Sequence, residues 1–318
     1  MTVVAAFDWG GTWLRGALVD ENGELVLQLR ERCPQEPDDQ LALVTTLVAR
    51  LGEAVDTAVE AVGIGIAGIV RDGRVLSGSN IGLKGVDLRA ELERRLSVPV
   101  RVVNDTQAVA LAELYLAGPG ETAVFLGVGT GIGGAVVHDG RLFTGRGAGG
   151  DFGHMQLAVD GPRCVCGARG CLEQLASGRV LNAVAAELAE SGRSRFLEPL
   201  ATGKSLHAGD LDAAALMGDE AAIEALDQAS AVLVAGLRCI AAAYDPDRIV
   251  LGGGLLREGS YLLGSMQDRW ARERSAWTTA ELTLARHGED AGLRGAALLW
   301  ISPAGTEPKG GGERSSGP

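Results

Sequence analysis

Two strand-turn-strand segments with glycine-rich turns, one at the start of the chain and one near its middle, restrict the available folds more than any other feature. The first is the apolar run Val3 to Asp8, the turn Gly10-Gly11-Thr12 and the strand Trp13 to Val19. The second is a strand from Ala123, the turn Gly127-Val128-Gly129-Thr130-Gly131-Ile132-Gly133-Gly134, and a further strand. Glycines let successive backbone N–H groups converge on an anion, and Thr12 and Thr130 each add a hydroxyl. An Asp at a strand end, here Asp8, can hold Mg²⁺ through water. Either turn alone reads equally well as a chain reversal. Their recurrence, each with a threonine, favours a pair of loops that grip a triphosphate from two sides. Neither is the G-x-x-x-x-G-K-[ST] type, which argues against a P-loop enzyme.

Around these turns the pattern is α/β. A hairpin through Glu21-Asn22-Gly23 leads into a strand from Glu24 to Arg30, followed by a helix from Leu41 to Val59 and a buried strand from Val62 to Ile66. A helix from Asp87 to Leu96, a strand from Val100 to Val103 and a helix from Thr106 to Leu116 follow. Gly118-Pro119-Gly120 marks a boundary and a hinge. The second half restarts the arrangement, continues in Ala/Leu-rich helices, and ends with the strand Arg248 to Leu251, the run Gly252-Gly253-Gly254 and a helix from Leu293 to Trp300. Two lobes are expected: 1–117 joined by a helix over 288–301, and 118–287. The tail 302–318, rich in Pro, Gly and Ser, is expected to be disordered and without chemistry. Gly253 and Gly254 either close a tight strand-to-helix turn or leave bare backbone for an adenine or ribose.

Composition narrows the partners. Hydrophobic residues make up 46% of the 318 but aromatics only 4%, so the core must be Ala, Val, Leu and Ile packed around glycine. The net charge is −12 and no Lys/Arg-rich run interrupts it, which disfavours nucleic acid. No apolar stretch of about 18 residues is evident, and the opening residues lack a basic leader, so a cytoplasmic protein without membrane contact is expected.

Two further constellations carry chemistry. Asn104-Asp105 closes the strand RVVND and opens an apolar-periodic helix. Asp105 can be a helix N-cap, as Asp commonly is at such a position. Alternatively, at a strand's carboxyl end beside phosphate loops, it can be the base that takes a proton from an attacking hydroxyl in phosphoryl transfer. Secondly, His154, Cys164, Cys166 and Cys171 supply one imidazole and three thiolates, the Cys₃His set of a structural zinc site. The other reading is a reduced cysteine-rich loop without metal. Cys33 and Cys239 read as ordinary thiols.

With DWGGT (Asp8 to Thr12), NDTQAVALAE (Asn104 to Glu113), GVGTGIGGAVVHDGRLFTGRGAGGDFGH (Gly127 to His154) and CVCGARGCLE (Cys164 to Glu173), the chain resembles the ROK sugar kinases of the actin-like ATPase superfamily from Val3 to about Trp300. The resemblance implies a two-lobed actin-like ATPase, or ribonuclease H-like, fold with an active-site cleft between the lobes. It implies ATP, Mg²⁺ and a structural Zn²⁺ on His154, Cys164, Cys166 and Cys171, and a homodimer. The nucleotide would meet Asp8, Gly10, Gly11, Thr12, Thr130, Gly131, Gly253 and Gly254. Asp105 would be the base, and the sugar would meet Gly68, Asn80, Asn104, Asp105, Asp151, His154 and Glu173.

Where family members commonly have Ala-Gly-Glu, this chain has Gly149-Gly150-Asp151. The missing methylene changes binding by roughly 1 to 3 kcal/mol. The expected activity is transfer of the γ-phosphoryl group of ATP to a hexose hydroxyl, O6, of glucose or a glucose-like amino sugar such as kanosamine. N-acetylmannosamine or N-acetylglucosamine is the alternative substrate. A sugar-sensing regulator or a catalytically weak sugar-binding protein is the alternative of another class; the acidic charge and the short stretch before Asp8 disfavour a DNA-binding regulator.

Overall fold

A computed structural model describes residues 3–78, 81–115, 118, 120–200 and 205–301. Asn80 and the tail from Ser302 lie outside them. The chain divides into two compact units: Met1–Ala112 with Glu289–Pro318, and Glu113–Gly288.

The first unit is built on β1 (Val4–Trp9), β2 (Trp13–Val19) and β3 (Leu25–Arg32), an antiparallel run that sets Asp8 opposite Arg15. Helix α1 (Pro37–Ala54) starts four residues ahead of the apolar period because Pro37 suits a first turn whose N–H groups have no partner, and Asp38 and Asp39 suit its positive end. It ends at Ala54, short of Val59, with Asp56 in the left-handed region at φ 47°. β4 (Ala61–Ile66) pairs parallel with β1. A small antiparallel sheet of β5 (Ile69–Arg71), β6 (Arg74–Ser77) and β7 (Val86–Asp87) follows, then α2 (Leu88–Leu96), β8 (Val100–Asn104) and α3 (Asp105–Leu114). Strands of two to four residues carry too few alternations to register as a pattern, and none was expected there.

The main sheet runs β3-β2-β1-β4-β8. One face packs on α1 and α2 through Phe7, Ile64, Leu47, Leu51, Leu88 and Leu92. The other face carries small side chains, Val4, Ala6, Ala17, Val19 and Ala61, covered by Leu293, Ala296 and Ala297. Glycine makes that approach possible: a Cβ on Gly63 would run into the carbonyl of Ala296, and one on Gly295 into that of Ala108. A core poor in aromatics is the consequence of backbones packed this closely.

The second unit repeats the plan. β9 (Thr122–Val128), β10 (Ile132–His138) and β11 (Arg141–Leu142) form the antiparallel part. Helices α4 (Leu172–Ala176), α5 (Gly178–Glu190), α6 (Leu197–Leu200), α7 (Ala208–Leu216) and α8 (Glu220–Tyr244) intervene before β12 (Arg248–Gly252), α9 (Tyr261–Glu273) and β13 (Glu281–Leu284). The order is β11-β10-β9-β12-β13, with β12 and β13 parallel to β9. Strand for strand this matches the first sheet, so the echo between the halves is one of topology. α8 is long and apolar enough to cross a membrane, with mean hydropathy 1.4 over 18 residues, but half of that window is buried and Leu226, Leu233, Leu237 and Ile240 serve the core. The last helix, α10 (Ala291–Ile301), returns to the first unit.

Candidate active site and metal-ligand cluster

In the first unit the candidate residues gather at the carboxyl ends of β1, β4 and β8. The cap of α3 is Asn104, not Asp105: the Asn104 Oδ1 accepts from the backbone N–H of Thr106 at 2.9 Å and of Gln107 at 3.2 Å. Its Nδ2 donates to the Gly68 carbonyl at 2.9 Å, which brings Gly68 to the same place. Relieved of capping, Asp105 holds a local hydrogen bond from the Thr106 N–H, 2.8 Å. Burial pushes its carboxyl up to about 6, against the pull of the Thr106 N–H, and the negative charge of Asp8 adds to the rise. A base near 6 is largely ionised at neutral pH and still strong enough to accept a proton.

Asp8 does not stand alone. Its Oδ2 accepts from Arg15 Nε at 3.1 Å and from Arg15 Nη2 at 2.5 Å, and Arg15 Nη2 also donates to the Glu289 carbonyl at 2.6 Å. Among the described residues Oδ1 has no partner, which leaves one oxygen for a hydrated cation. Arg15 was missed from sequence, although counting back across the hairpin turn places it opposite Asp8. The Gly10 N–H is taken by the Trp13 carbonyl, 3.0 Å, so the turn spends one of its donors on closing the hairpin.

In the second unit the two glycine runs lie side by side, because Gly252 is in register with Gly127 on parallel strands. Gly253 sits at φ 91° and a Cβ there would meet the carbonyl of Val128, so the turn itself requires glycine. Gly254 has neither restriction: its φ is ordinary and the space around it is open. The loop over 129–131 is braced from behind. The N–H groups of Gly178 and Arg179 donate to the carbonyls of Gly129 and Thr130 at 2.8 and 3.1 Å, and the Glu173 Oε2 accepts from Ile132 N–H at 3.0 Å. Glu173 lies against Gly131. Thr130 is exposed. The Arg179 guanidinium stands 3.9 Å from Glu173 Oε1. The docking of α5 on this loop is a long-range contact, and nothing in the local sequence announces it.

Asp151 opens a 3₁₀ turn over Phe152–His154. The His154 imidazole points Nδ1 at Cys164 Sγ, 3.4 Å, and Nε2 toward Asp151 Oδ2, 3.8 Å. Burial raises the Asp151 carboxyl above its ordinary range; Glu173 acts in the same direction and His154 against it. Asp151, His154 and Glu173 are therefore electrostatic neighbours.

The ligand atoms of His154, Cys164, Cys166 and Cys171 all lie within 4.8 Å of one another. A tetrahedron with Zn–S near 2.3 Å and Zn–N near 2.0 to 2.1 Å has edges of roughly 3.8 Å between sulfurs and roughly 3.6 Å between sulfur and nitrogen. The Cys166–Cys171 and Cys164–His154 separations are 3.6 and 3.4 Å. Burial, helped by hydrogen bonds to the neighbouring thiols, pushes the Cys171 thiol up to about 12. A divalent cation reverses that, since it deprotonates a coordinating thiol. The donor set and its spacing fit zinc, with Asp151 behind the imidazole in the position of a carboxylate that orients a metal-ligating histidine.

Two units, each with an antiparallel hairpin continued by two parallel strands, make this an actin-like ATPase fold. The sequence profile of the ROK family matches residues 4–302. The glucokinase of Streptomyces coelicolor is 32% identical over 316 residues, covering 95% of this chain and 99% of its own. The N-acetylmannosamine kinase of Citrobacter koseri is 35% identical over 306 residues, covering 92% and 97%. A solved ROK glucokinase from Streptomyces griseus, in complex with glucose and AMPPNP, superposes with a TM-score of 0.79 at 32% identity, covering 93% and 98% of the two chains. The chain belongs to the ROK family.

Proposed function

We propose that the chain is an ATP-dependent sugar kinase in which Asp105 is the general base. The observation that carries this reading is the division of labour at the start of α3: Asn104 caps the helix, and Asp105 is left at a strand end as a carboxylate with a proton affinity raised to about 6. The sugar hydroxyl oxygen attacks the γ-phosphorus of ATP, the bond from that phosphorus to the bridging oxygen breaks, and ADP leaves. The hydroxyl proton passes to Asp105. Asp8 would hold the Mg²⁺ that accompanies the nucleotide, and the ion would supply neutralisation of phosphate charge. Gly10, Gly11 and Thr12 of the first turn and Thr130, Gly131, Gly253 and Gly254 of the second unit hold the nucleotide, and the open surroundings of Gly254 support it as a place of close approach.

Gly68, Asn80, Asn104, Asp151, His154 and Glu173 hold the sugar, with O6 as the attacking oxygen. His154, Cys164, Cys166 and Cys171 would hold zinc, which would fix the His154 imidazole within this group and would have no part in activating the nucleophile. We favour glucose or a glucose-like amino sugar such as kanosamine. Asp151 leaves about one methylene of space, and its carboxylate with that of Glu173 suits an ammonium. The 35%-identical N-acetylmannosamine kinase supports an N-acetylhexosamine as the second reading. ADP release measured with glucose, mannose, glucosamine, kanosamine, N-acetylglucosamine and N-acetylmannosamine separates these substrates. No sugar-dependent release, or full turnover by Asp105→Asn, would overturn the assignment.

A further inference from the structure

The segment Asn104 to Glu113 ends in a carboxylate for which the chemistry above has no use. Glu113 Oε2 accepts from the backbone N–H of Arg286 at 2.8 Å, and Oε1 accepts from that of His287 at 2.9 Å. Both N–H groups belong to exposed residues and could be solvated, so burial does not demand these bonds. Their placement is the informative part. Glu113 is the first residue of the second unit on the outward passage of the chain, and 286–287 lie just before the return at Gly288. One side chain thus ties together the two segments by which the chain passes between its units.

Each tied segment leads to one of the two candidate-site carboxylates of the first unit, Asp105 and Asp8. Asp105 is the first residue of α3 and Glu113 the ninth, about 12 Å along the same helix. That helix is held in the first unit by Ala108, packed against Gly65 and Gly295. The return segment continues to Glu289, whose carbonyl accepts from the same Arg15 Nη2 that pairs with Asp8. An ionised carboxylate suits the junction, because it offers two acceptors to two consecutive donors and strengthens both bonds by its charge.

We propose that Glu113 is a positioning residue, a clasp that holds the two inter-unit passages together and so keeps Asp105 and Asp8 in fixed relation during turnover. The proposal rests on the kinase reading for its kinetic consequence and on geometry alone for the clasp. The series wild type, Glu113→Gln and Glu113→Ala keeps two, one and no acceptors. Hydrogen exchange followed by mass spectrometry on the full chain, without substrate, should show the 286–287 amides exchanging faster by roughly tenfold in the Ala variant and by less in the Gln variant. Turnover with the best sugar should fall in the same order, by roughly three- to tenfold, with KM for ATP within about twofold. The acid limb of the kcat profile should move to lower pH as burial and the charge of Asp8 bear less on Asp105. A merely smaller active fraction scales kcat alike at every pH. Unchanged exchange at 286–287 would overturn the clasp. Faster exchange with full kcat, or a uniform loss with an unmoved acid limb, would overturn its role in positioning. A wild-type protein without sugar-dependent turnover would count against the kinase reading, while the exchange result would still decide the clasp.

Discussion

Asp105→Asn should stabilise the protein at neutral pH while it abolishes turnover, and the stabilisation should vanish in acid. In the folded chain burial raises this carboxyl from 3.8 to about 6. The folded state therefore binds the Asp105 proton more tightly than the unfolded one. Below pH 4 both states are protonated and the site has no effect. As pH rises from about 4 to 6 the unfolded state gives up this proton while the folded state keeps it, so stability is lost across that window and levels off above 6. At about 1.4 kcal/mol for each tenfold in proton affinity, the full loss is roughly 3 kcal/mol, of which roughly half develops between pH 5 and 7.5. Asparagine does not titrate, and its Oδ1 can still accept from the Thr106 N–H. Denaturant unfolding of wild type and variant across this pH range should show the Asn protein gaining on wild type by about 1.5 kcal/mol from pH 5 to 7.5. The loss of kcat should be at least about 100-fold. A stability difference independent of pH, or an Asn variant less stable at pH 7.5 than at pH 5 relative to wild type, would refute the assignment of a raised proton affinity to Asp105.

Three other outcomes follow from the site. Cys166→Ser should lower zinc content, read by elemental analysis, and weaken sugar binding by roughly 10- to 100-fold, because loss of the ion frees the imidazole of His154. Gly254→Ala should raise KM for ATP and leave the midpoint of unfolding unchanged, whereas Gly253→Ala should lower that midpoint by several degrees, since only Gly253 meets a carbonyl and a left-handed backbone. Asp151→Glu should shift the ratio of kcat/KM between amino sugar and glucose toward glucose by roughly 10-fold; an unchanged ratio would show that Asp151 does not select the sugar.

The two glycine hairpins and the strands β4, β8 and β12 were legible in sequence because each is a local pattern, an apolar run or a turn residue, whereas β13 and the separate helices α4 to α7 were not read. The cluster of candidate metal ligands was legible for the same reason as the hairpins, since Cys164, Cys166 and Cys171 fall within eight residues. The cap of α3 was not. Asn and Asp stand side by side, both are good caps, and only the backbone direction at the end of β8 decides that Asn104 takes the task. The sheet β5-β6-β7 escaped because its strands are too short for alternation to show. Arg15 was within reach of hairpin counting, but Arg179 and Glu113 act through partners far along the chain, 286–287 in the case of Glu113, and no local pattern encodes such a meeting.

The chain's return to its first unit bears on how it is made. Residues 113–288 are continuous and enclose their own core, so the second unit can close as soon as it leaves the ribosome. The first unit is synthesised earlier but finished later. Until α10 emerges, the face of its sheet formed by Val4, Ala6, Ala17, Val19 and Ala61 has no cover, because Leu293, Ala296 and Ala297 are all still to come. The half translated first waits bare for almost the whole of synthesis, and translation arrest before residue 291 should leave that half a target for chaperones while the second half is already folded.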